Sequence, residues 1–164
     1  MNVQINASFA RIDHILPFLH ISSTILLISA QISLLMITML FLKRSPKTYG
    51  EFFRKVKNFM IVFFILLLVI ILTGFLLSKG DDFKFSDPMI EGIINTKYAI
   101  SILILCNFLY IFYKFDLAKK AFKKGEVDEM NEHIIIAAKY FIILNICLLF
   151  IAVYLGVAIG RFGW

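Results

Sequence analysis

Two side chains offer this sequence most of its chemistry, the imidazole of His20 and the ammonium of Lys97. His20 lies inside a long apolar stretch, and Lys97 directly precedes the uncharged stretch 98–113. An imidazole can bind a metal or a haem iron, and a lysine can hold a carboxylate. A histidine in such a stretch more often makes a packing hydrogen bond, and a lysine at its edge more often anchors a helix at the membrane surface. Both interpretations stay open at this point.

The composition predicts a membrane protein. The chain has 164 residues, of which 60% are hydrophobic and 17% are charged, whereas about a quarter of the residues of a soluble domain are charged. Four apolar stretches, 15–42, 59–77, 98–113 and 134–159, are each about long enough to cross a bilayer. Their apolar residues run on without alternation, which favours helices over a β-barrel. We expect one all-α domain over 1–164, an integral membrane four-helix bundle surrounded by lipid.

The charged loops predict the orientation of this bundle. The loop 43–57 carries six basic residues and the connection 114–132 carries five lysines, while the loop 79–97 has four acidic residues against three lysines. Because basic loops stay in the cytoplasm, both termini are expected outside. The same orientation brings His20 and Lys97 to the outer side of the membrane. We expect them to meet in one outer-leaflet pocket.

A polar stripe along the first helix is expected to face protein or a cavity. Its members, His20, Thr24, Gln31 and Thr38, follow steps of four and seven residues and therefore share one helix face. Such a stripe serves either for hydrogen bonds between helices or for lining a ligand site. The spacing leaves both uses open.

The remaining polar features give weaker signals. The lysines after residue 113 predict a continuation of the third helix at anionic headgroups until Gly125 ends it, and we favour phospholipid contact there over nucleic-acid binding. Cys106 and Cys147 lack the spacing of a zinc cluster and are expected to be packing residues. The sequence contains no phosphate-binding glycine loop and no hydrolase nucleophile motif.

The order of several short motifs resembles one family. The motifs are, in chain order, Leu19-His20, the basic and aromatic loop 43–57, Thr73-Gly74, Lys97, the lysine-rich extension with Gly125-Glu126, and Asn131-Glu132. This arrangement resembles the bacterial HemJ-like membrane proteins, the haem-binding protoporphyrinogen IX oxidase group, and more loosely the CopD-like domains. The similarity extends from Leu19 to Val157 and lies in the order of the motifs.

The resemblance implies a b-type haem bound in a bacterial inner membrane. His20 would be the haem ligand and thus the metal-binding residue. Lys97 would be the essential, catalytic lysine at the cofactor, where it either holds a porphyrin carboxylate, acts as the second ligand or transfers a proton. Asn131 and Glu132 would correspond to the family's Asn-Glu pair. The implied reaction is oxidation of protoporphyrinogen IX, with electrons passing to a respiratory acceptor. Thr24 and Gln31, from the polar stripe, complete the predicted cofactor-binding set.

A second hypothesis belongs to another class of protein. The chain could be a non-enzymatic membrane subunit or assembly factor of a respiratory or transport complex, in which His20, Lys97 and Asn107 only bond neighbouring helices. Metal or solute transport is less favoured, because no track of histidine or methionine crosses the whole bilayer. The sequence leaves open whether the chain is an enzyme, whether it forms a homo-oligomer, and what His14 and His133 do.

Overall fold

The computed structural model describes residues 12–42, 49–78 and 88–162, with side chains from residue 15 to residue 158 within these ranges. The elements are α1 (Ile12–Phe41), α2 (Tyr49–Ser78), α3 (Pro88–Lys124), α4 (Val127–Ile136), a π-helical turn (Ala137–Ile142) and α5 (Ile143–Phe162). The described ranges contain no strand, which confirms the all-α class. The chain termini and many charged residues of loops 43–57 and 79–97, on which the predicted orientation depends, lie outside the described residues.

Within the described residues, four helices are long and apolar enough to cross a membrane, namely Ile15–Phe41, Tyr49–Ser78, Pro88–Lys124 and Val127–Ala158. The first agrees with the predicted span, and the other three are longer than predicted because each helix continues past its apolar run into charged residues. α3 alone has 37 residues, about 55 Å at ~1.5 Å per residue, against a hydrocarbon layer of ~30 Å. Large apolar side chains such as Phe18, Leu72 and Tyr154 are exposed on the outer surface. These features fit a multi-pass membrane protein.

The helices form a closed ring. α1 packs on α2, α2 on α3, α3 on α4 and α5, and α5 again on α1. α1 and α3 therefore face each other across the middle of the bundle. Contacts between α1 and α2 at both ends show that these helices are antiparallel: His20 contacts Thr73, and Phe41 contacts Phe52. We call the two ends of the bundle the His20 end and the Phe41 end.

An aromatic cluster joins three helices at the Phe41 end. The rings of Phe41 and Phe52 stack with centroids 4.1 Å apart, and Phe52 lies 6.3 Å from Phe115 of α3. Tyr49 contacts Phe122 in the same cluster. The apolar face of the lysine-rich end of α3 is thus covered by protein, and only its lysine face stays exposed.

Gly125 ends α3 as the sequence predicted. Its φ of 82° lies in the left-handed region that favours glycine. Its N–H donates to the carbonyl of Phe122, and the N–H of Glu126 donates to the carbonyl of Ala121. This pair of bonds is a Schellman motif, which satisfies carbonyls that the helix end leaves free.

The π-helical turn between α4 and α5 receives a hydrogen bond from α3. A π-helical turn departs from the regular i to i+4 pattern of backbone bonds, so its carbonyls can accept bonds from outside the helix. Asn107 Nδ2 donates to the carbonyl of Phe141 at 2.8 Å. Asn107 therefore bonds two neighbouring helices near the middle of the bundle.

Candidate site at the His20 end

Thr73 fixes the His20 ring between α1 and α2. Nδ1 of His20 lies 2.9 Å from the hydroxyl of Thr73, and that hydroxyl donates its own hydrogen to the carbonyl of Val69 at 2.7 Å. Because the hydroxyl has one hydrogen and uses it within α2, it accepts the Nδ1–H of the imidazole. This pairing favours the tautomer with the proton on Nδ1 and the lone pair on Nε2. A neutral imidazole with a free Nε2 is the form that binds a metal.

Gly74 provides the space that this ring occupies. A Cβ atom at position 74 would lie 3.3 Å from Cε1 and 3.8 Å from Nδ1 of His20. The absence of a side chain lets the imidazole pack directly on the α2 backbone. Thr73 and Gly74 therefore act together, one as hydrogen-bond acceptor and the other as a close-contact surface.

Lys97 reaches the same end of the bundle from α3. Its side chain is half-buried, and its Nζ lies 3.4 Å from where a Cβ of Gly156 on α5 would be. Tyr98, the next residue, bonds Ser78 of α2, five residues beyond Thr73, so Lys97 lies at the end of the bundle where Thr73 contacts His20. His20 and Lys97 therefore lie at the same end of the bundle, on helices that face each other across it.

The Lys97 ammonium has no acidic partner in the part of the chain that the structure describes. A half-buried cation without a counter-ion is costly. The site is therefore electropositive at its rim and apolar below it. Such a site suits a ligand that carries a carboxylate on a large apolar body.

A hydrogen bond between Tyr98 and Ser78 closes the rim of the His20 end. The Ser78 hydroxyl donates to the carbonyl of Phe75 at 2.8 Å and accepts the phenolic hydrogen of Tyr98. This bond joins the end of α2 to the beginning of α3. It holds Lys97, the residue before Tyr98, in position beside the site.

The other residues predicted from the polar stripe lie on the interior side of α1 but are used differently. The hydroxyl of Thr24 donates to the carbonyl of His20 at 2.8 Å, and that of Thr38 donates to Leu34 at 2.7 Å, so both are bonded within α1. Gln31 is buried, three turns further into the bundle than His20.

Asn131 and Glu132 lie far from His20. Both are in α4 at the Phe41 end, and Glu132 is exposed. Gly156 follows Glu132 by 24 residues of nearly continuous helix, about 36 Å at ~1.5 Å per residue. The structure therefore does not bring the Asn-Glu pair into the site. His133 is at this end too, 3.5 Å from Glu129, and the side chain of His14 lies outside the described residues.

Three features of the interior are not predicted by the sequence. Thr73 and Gly74 belong to the motifs named above, but their contact with His20 depends on the packing of α1 against α2. Gly156 gave no signal of its contact with Lys97, since a glycine in an apolar helix has many uses. Asn145, fully buried in α5, could have been marked as a polar residue in the middle of an apolar span.

The donor set fits a haem better than a bare metal ion. The described residues contain no group of three or more His, Cys, Asp or Glu side chains that could hold a metal. A haem supplies four nitrogen ligands of its own and needs only one or two more from the protein, one of which the imidazole of His20 would provide. Comparison of the chain with protein-family models, curated proteins and solved structures finds no match.

Proposed function

We propose that this chain is a haem-binding protein of the bacterial inner membrane, with a b-type haem held between α1 and α3 at the His20 end. The observation that carries the proposal is the hydrogen bond between His20 Nδ1 and Thr73, which favours the tautomer whose Nε2 lone pair would bind the iron. Gly74 supports the proposal because it lets the His20 ring pack directly against the backbone of α2.

Lys97 supplies the second half of the proposed site. Its ammonium lacks a carboxylate partner among the described residues and lies at the rim, where a porphyrin carboxylate would complete an ion pair. Gly156 leaves room beside the ammonium. In this arrangement His20 would hold the iron, and Lys97, from the opposite side of the bundle, would pair with a porphyrin carboxylate.

The orientation that we propose places the His20 end outside. Lys119, Lys120, Lys123 and Lys124 are all near the Phe41 end. Basic residues next to a membrane helix favour the cytoplasmic side. The lysine face then lies at the anionic headgroups of the inner leaflet, as the sequence analysis expected.

The activity that we propose is oxidation of protoporphyrinogen IX to protoporphyrin IX. A bound haem supplies one-electron redox chemistry, with a respiratory carrier as the final acceptor. The residues of the chain bind and orient the substrate: Lys97 holds a carboxylate or transfers a proton that the porphyrinogen loses, and the apolar helix faces enclose the ring.

The visible spectrum of the purified protein tests haem binding. We expect a Soret band in the wild type that is lost in His20→Ala and kept in His133→Ala, since His133 lies at the other end. If the wild type takes up no haem, or if His20→Ala gives the wild-type spectrum, the proposed ligand is wrong.

A second candidate function is that of a non-enzymatic subunit or assembly factor of a membrane complex. The bond from Asn107 to Phe141 favours it, because it uses a buried polar residue only to join helices. This function predicts that the chain purifies with a larger complex. It also predicts that charged residues in place of the exposed Phe150 and Tyr154 on α5 release it from that complex, while the haem spectrum of any bound cofactor stays unchanged.

A further inference from the structure

Two carboxamides in the bundle interior have no hydrogen-bond partner among the described residues. Gln31 of α1 is 2% exposed and Asn145 of α5 is 0% exposed. The oxygen and nitrogen of both side chains are buried and unpartnered. Burying an amide in an apolar interior is strongly unfavourable when its hydrogen bonds to water are not replaced by others. Something other than the described protein groups is therefore expected to meet these atoms.

The two carboxamides lie at the same level when counted from the His20 end. Gln31 follows His20 by eleven residues, and Asn145 precedes Gly156 by eleven residues. Each is about 16 Å further into the bundle at ~1.5 Å per residue. His20 and Gly156 both belong to the His20 end, because Gly156 lies beside Lys97, and Tyr98 next to Lys97 bonds Ser78, five residues beyond the Thr73 that contacts His20.

Residue counts from the Phe41 end also place Gln31 and Asn145 at similar heights along the bundle. Phe41 is level with Phe115, since both rings contact Phe52. Asn107 precedes Phe115 by eight residues, so it lies about 12 Å above the Phe41 level.

Because Asn107 is hydrogen-bonded to Phe141, the residue of the π-helical turn just before α5, these two residues lie at about the same height along the bundle. Asn145 is four residues beyond Phe141, and Gln31 is ten residues from Phe41. The levels of the two carboxamides are then about 18 Å and about 15 Å above Phe41, at ~1.5 Å per residue. The two routes agree within about one helical turn.

Both side chains also point to the interior. Gln31 lies between the buried Leu27 and Leu34 on one stripe of α1, and Asn145 lies between the buried Ile142 and Leu149 on α5. α1 and α5 are neighbours in the ring. Packed helices are typically ~8–10 Å apart, so two interior carboxamides at one level are within reach of a small bridging ligand.

We propose that Gln31 and Asn145 bind a cluster of water molecules in the middle of the bundle. Two carboxamides present both acceptors and N–H donors and no charge, which suits a neutral molecule that donates and accepts. A buried water makes about three hydrogen bonds, so at least two waters are needed to satisfy both amides. A hard cation would require about six oxygen ligands, several of them anionic, which this level lacks among the described residues.

The cluster is separate from the proposed haem site. Leu27 is fully buried between the levels of His20 and Gln31, and Leu149 closes the corresponding position on α5. Apolar side chains on α1 and α5 therefore separate the two amides from the His20 end. The inference does not depend on haem binding, and its tests use no cofactor.

Equilibrium unfolding in mixed micelles tests the shared cluster. Gln31→Leu and Asn145→Leu each leave the other amide and the waters short of partners, so each is expected to raise the unfolding equilibrium constant about tenfold. The double variant has two apolar side chains in place of the amides and needs no water there. Its unfolding equilibrium constant is therefore expected to rise by less than the product of the two single-variant factors. If either single variant is neutral or more stable, or if the factors multiply, the amides do not share waters.

Thr38→Val is the matched control for this cycle. Thr38 is equally buried on α1, but its hydroxyl is bonded within its own helix. Combined with Gln31→Leu, its effect should multiply, as independent sites do. If Thr38→Val and Gln31→Leu were coupled as strongly as Gln31→Leu and Asn145→Leu, the coupling would reflect a general destabilisation of α1 and would contradict the proposal.

Solid-state NMR in lipid bilayers observes the waters directly. Magnetisation transferred from water protons should reach the side-chain amides of Gln31 and Asn145 in the wild type. In Asn145→Leu the transfer to Gln31 should fall strongly. Absence of transfer to both amides in the wild type would contradict the proposal.

Discussion

The hydroxyl of Thr73 accepts the Nδ1–H of His20 across 2.9 Å and donates its own hydrogen to Val69 of the same helix. This hydrogen bond joins α1 to α2 at the His20 end, where Lys97 of α3 also lies. It fixes the ring orientation and the tautomer before any ligand binds. A site whose ligand atom is held in advance loses less conformational entropy on binding.

Replacing Thr73 by valine keeps the shape of the side chain and removes the acceptor for His20. We expect the affinity for haem to fall about 10-fold to 100-fold, the usual effect of losing a hydrogen bond behind a metal-ligating histidine. Haemin titration followed by absorbance measures it. Thr38→Val, a buried threonine near the other end, is the control and should bind as the wild type does. Equal affinities for Thr73→Val and the wild type would show that the bond does not support the ligand.

Two glycine substitutions separate helix propensity from the fit of the ring. Alanine in place of a helical glycine stabilises by about 0.5–1 kcal/mol where there is room. Gly92 has nothing within 4 Å of its added Cβ, whereas that of Gly74 would meet His20 at 3.3 Å. We expect Gly92→Ala to show the full gain in unfolding free energy and Gly74→Ala to show less. NMR shifts of the His20 ring should change only in Gly74→Ala, and equal gains with an unmoved ring would contradict the proposed seat.

Lys97→Met is expected to have opposite effects on folding and binding. Methionine removes a half-buried cation that has no acidic partner among the described residues, so thermal stability should stay equal or rise. Affinity for a porphyrin with free carboxylates should fall, while that for its dimethyl ester should not change. Both affinities are measured by fluorescence quenching. Lys139→Met, which alters an exposed lysine, should affect neither. A loss that is the same for the acid and the ester would mean that Lys97 does not pair with a carboxylate.

Asn107→Leu tests the bond between α3 and the π-helical turn. The substitution leaves the Phe141 carbonyl without its partner, so we expect a loss of about 1–3 kcal/mol in the free energy of unfolding. Haem binding at the distant His20 end should persist. Asn95→Leu, at an exposed position of the same helix, is the comparison and should cost much less. Similar losses for both variants would show that the bond contributes little.

The sequence predicted the parts of the fold that depend on local pattern. Apolar runs located four helices, and the lone glycine after Lys124 located the end of α3. Steps of four and seven residues placed Gln31 and Thr38 on the interior face of α1. Each of these depends on helix geometry and on the hydrophobic effect alone.

The parts that the sequence did not predict depend on how helices meet. Hydropathy ends a span at the first charges, but the aromatic cluster around Phe52 holds α2 and α3 helical well beyond them. The order of motifs grouped Asn131 and Glu132 with His20, although nearly the whole of α5 separates them. The contacts of Gly74 and Gly156 join helices that the chain order alone does not align.

The proposed haem ligand is Nε2 of His20, and imidazole rescue tests this atom most directly. His20→Gly removes the ligand and leaves space for a free imidazole beside Thr73, and His133→Gly serves as the control. We predict that haemin added to His20→Gly gives no axially ligated spectrum until imidazole is supplied, while the wild type and His133→Gly need none. If His20→Gly gives the wild-type spectrum without imidazole, His20 is not the haem ligand.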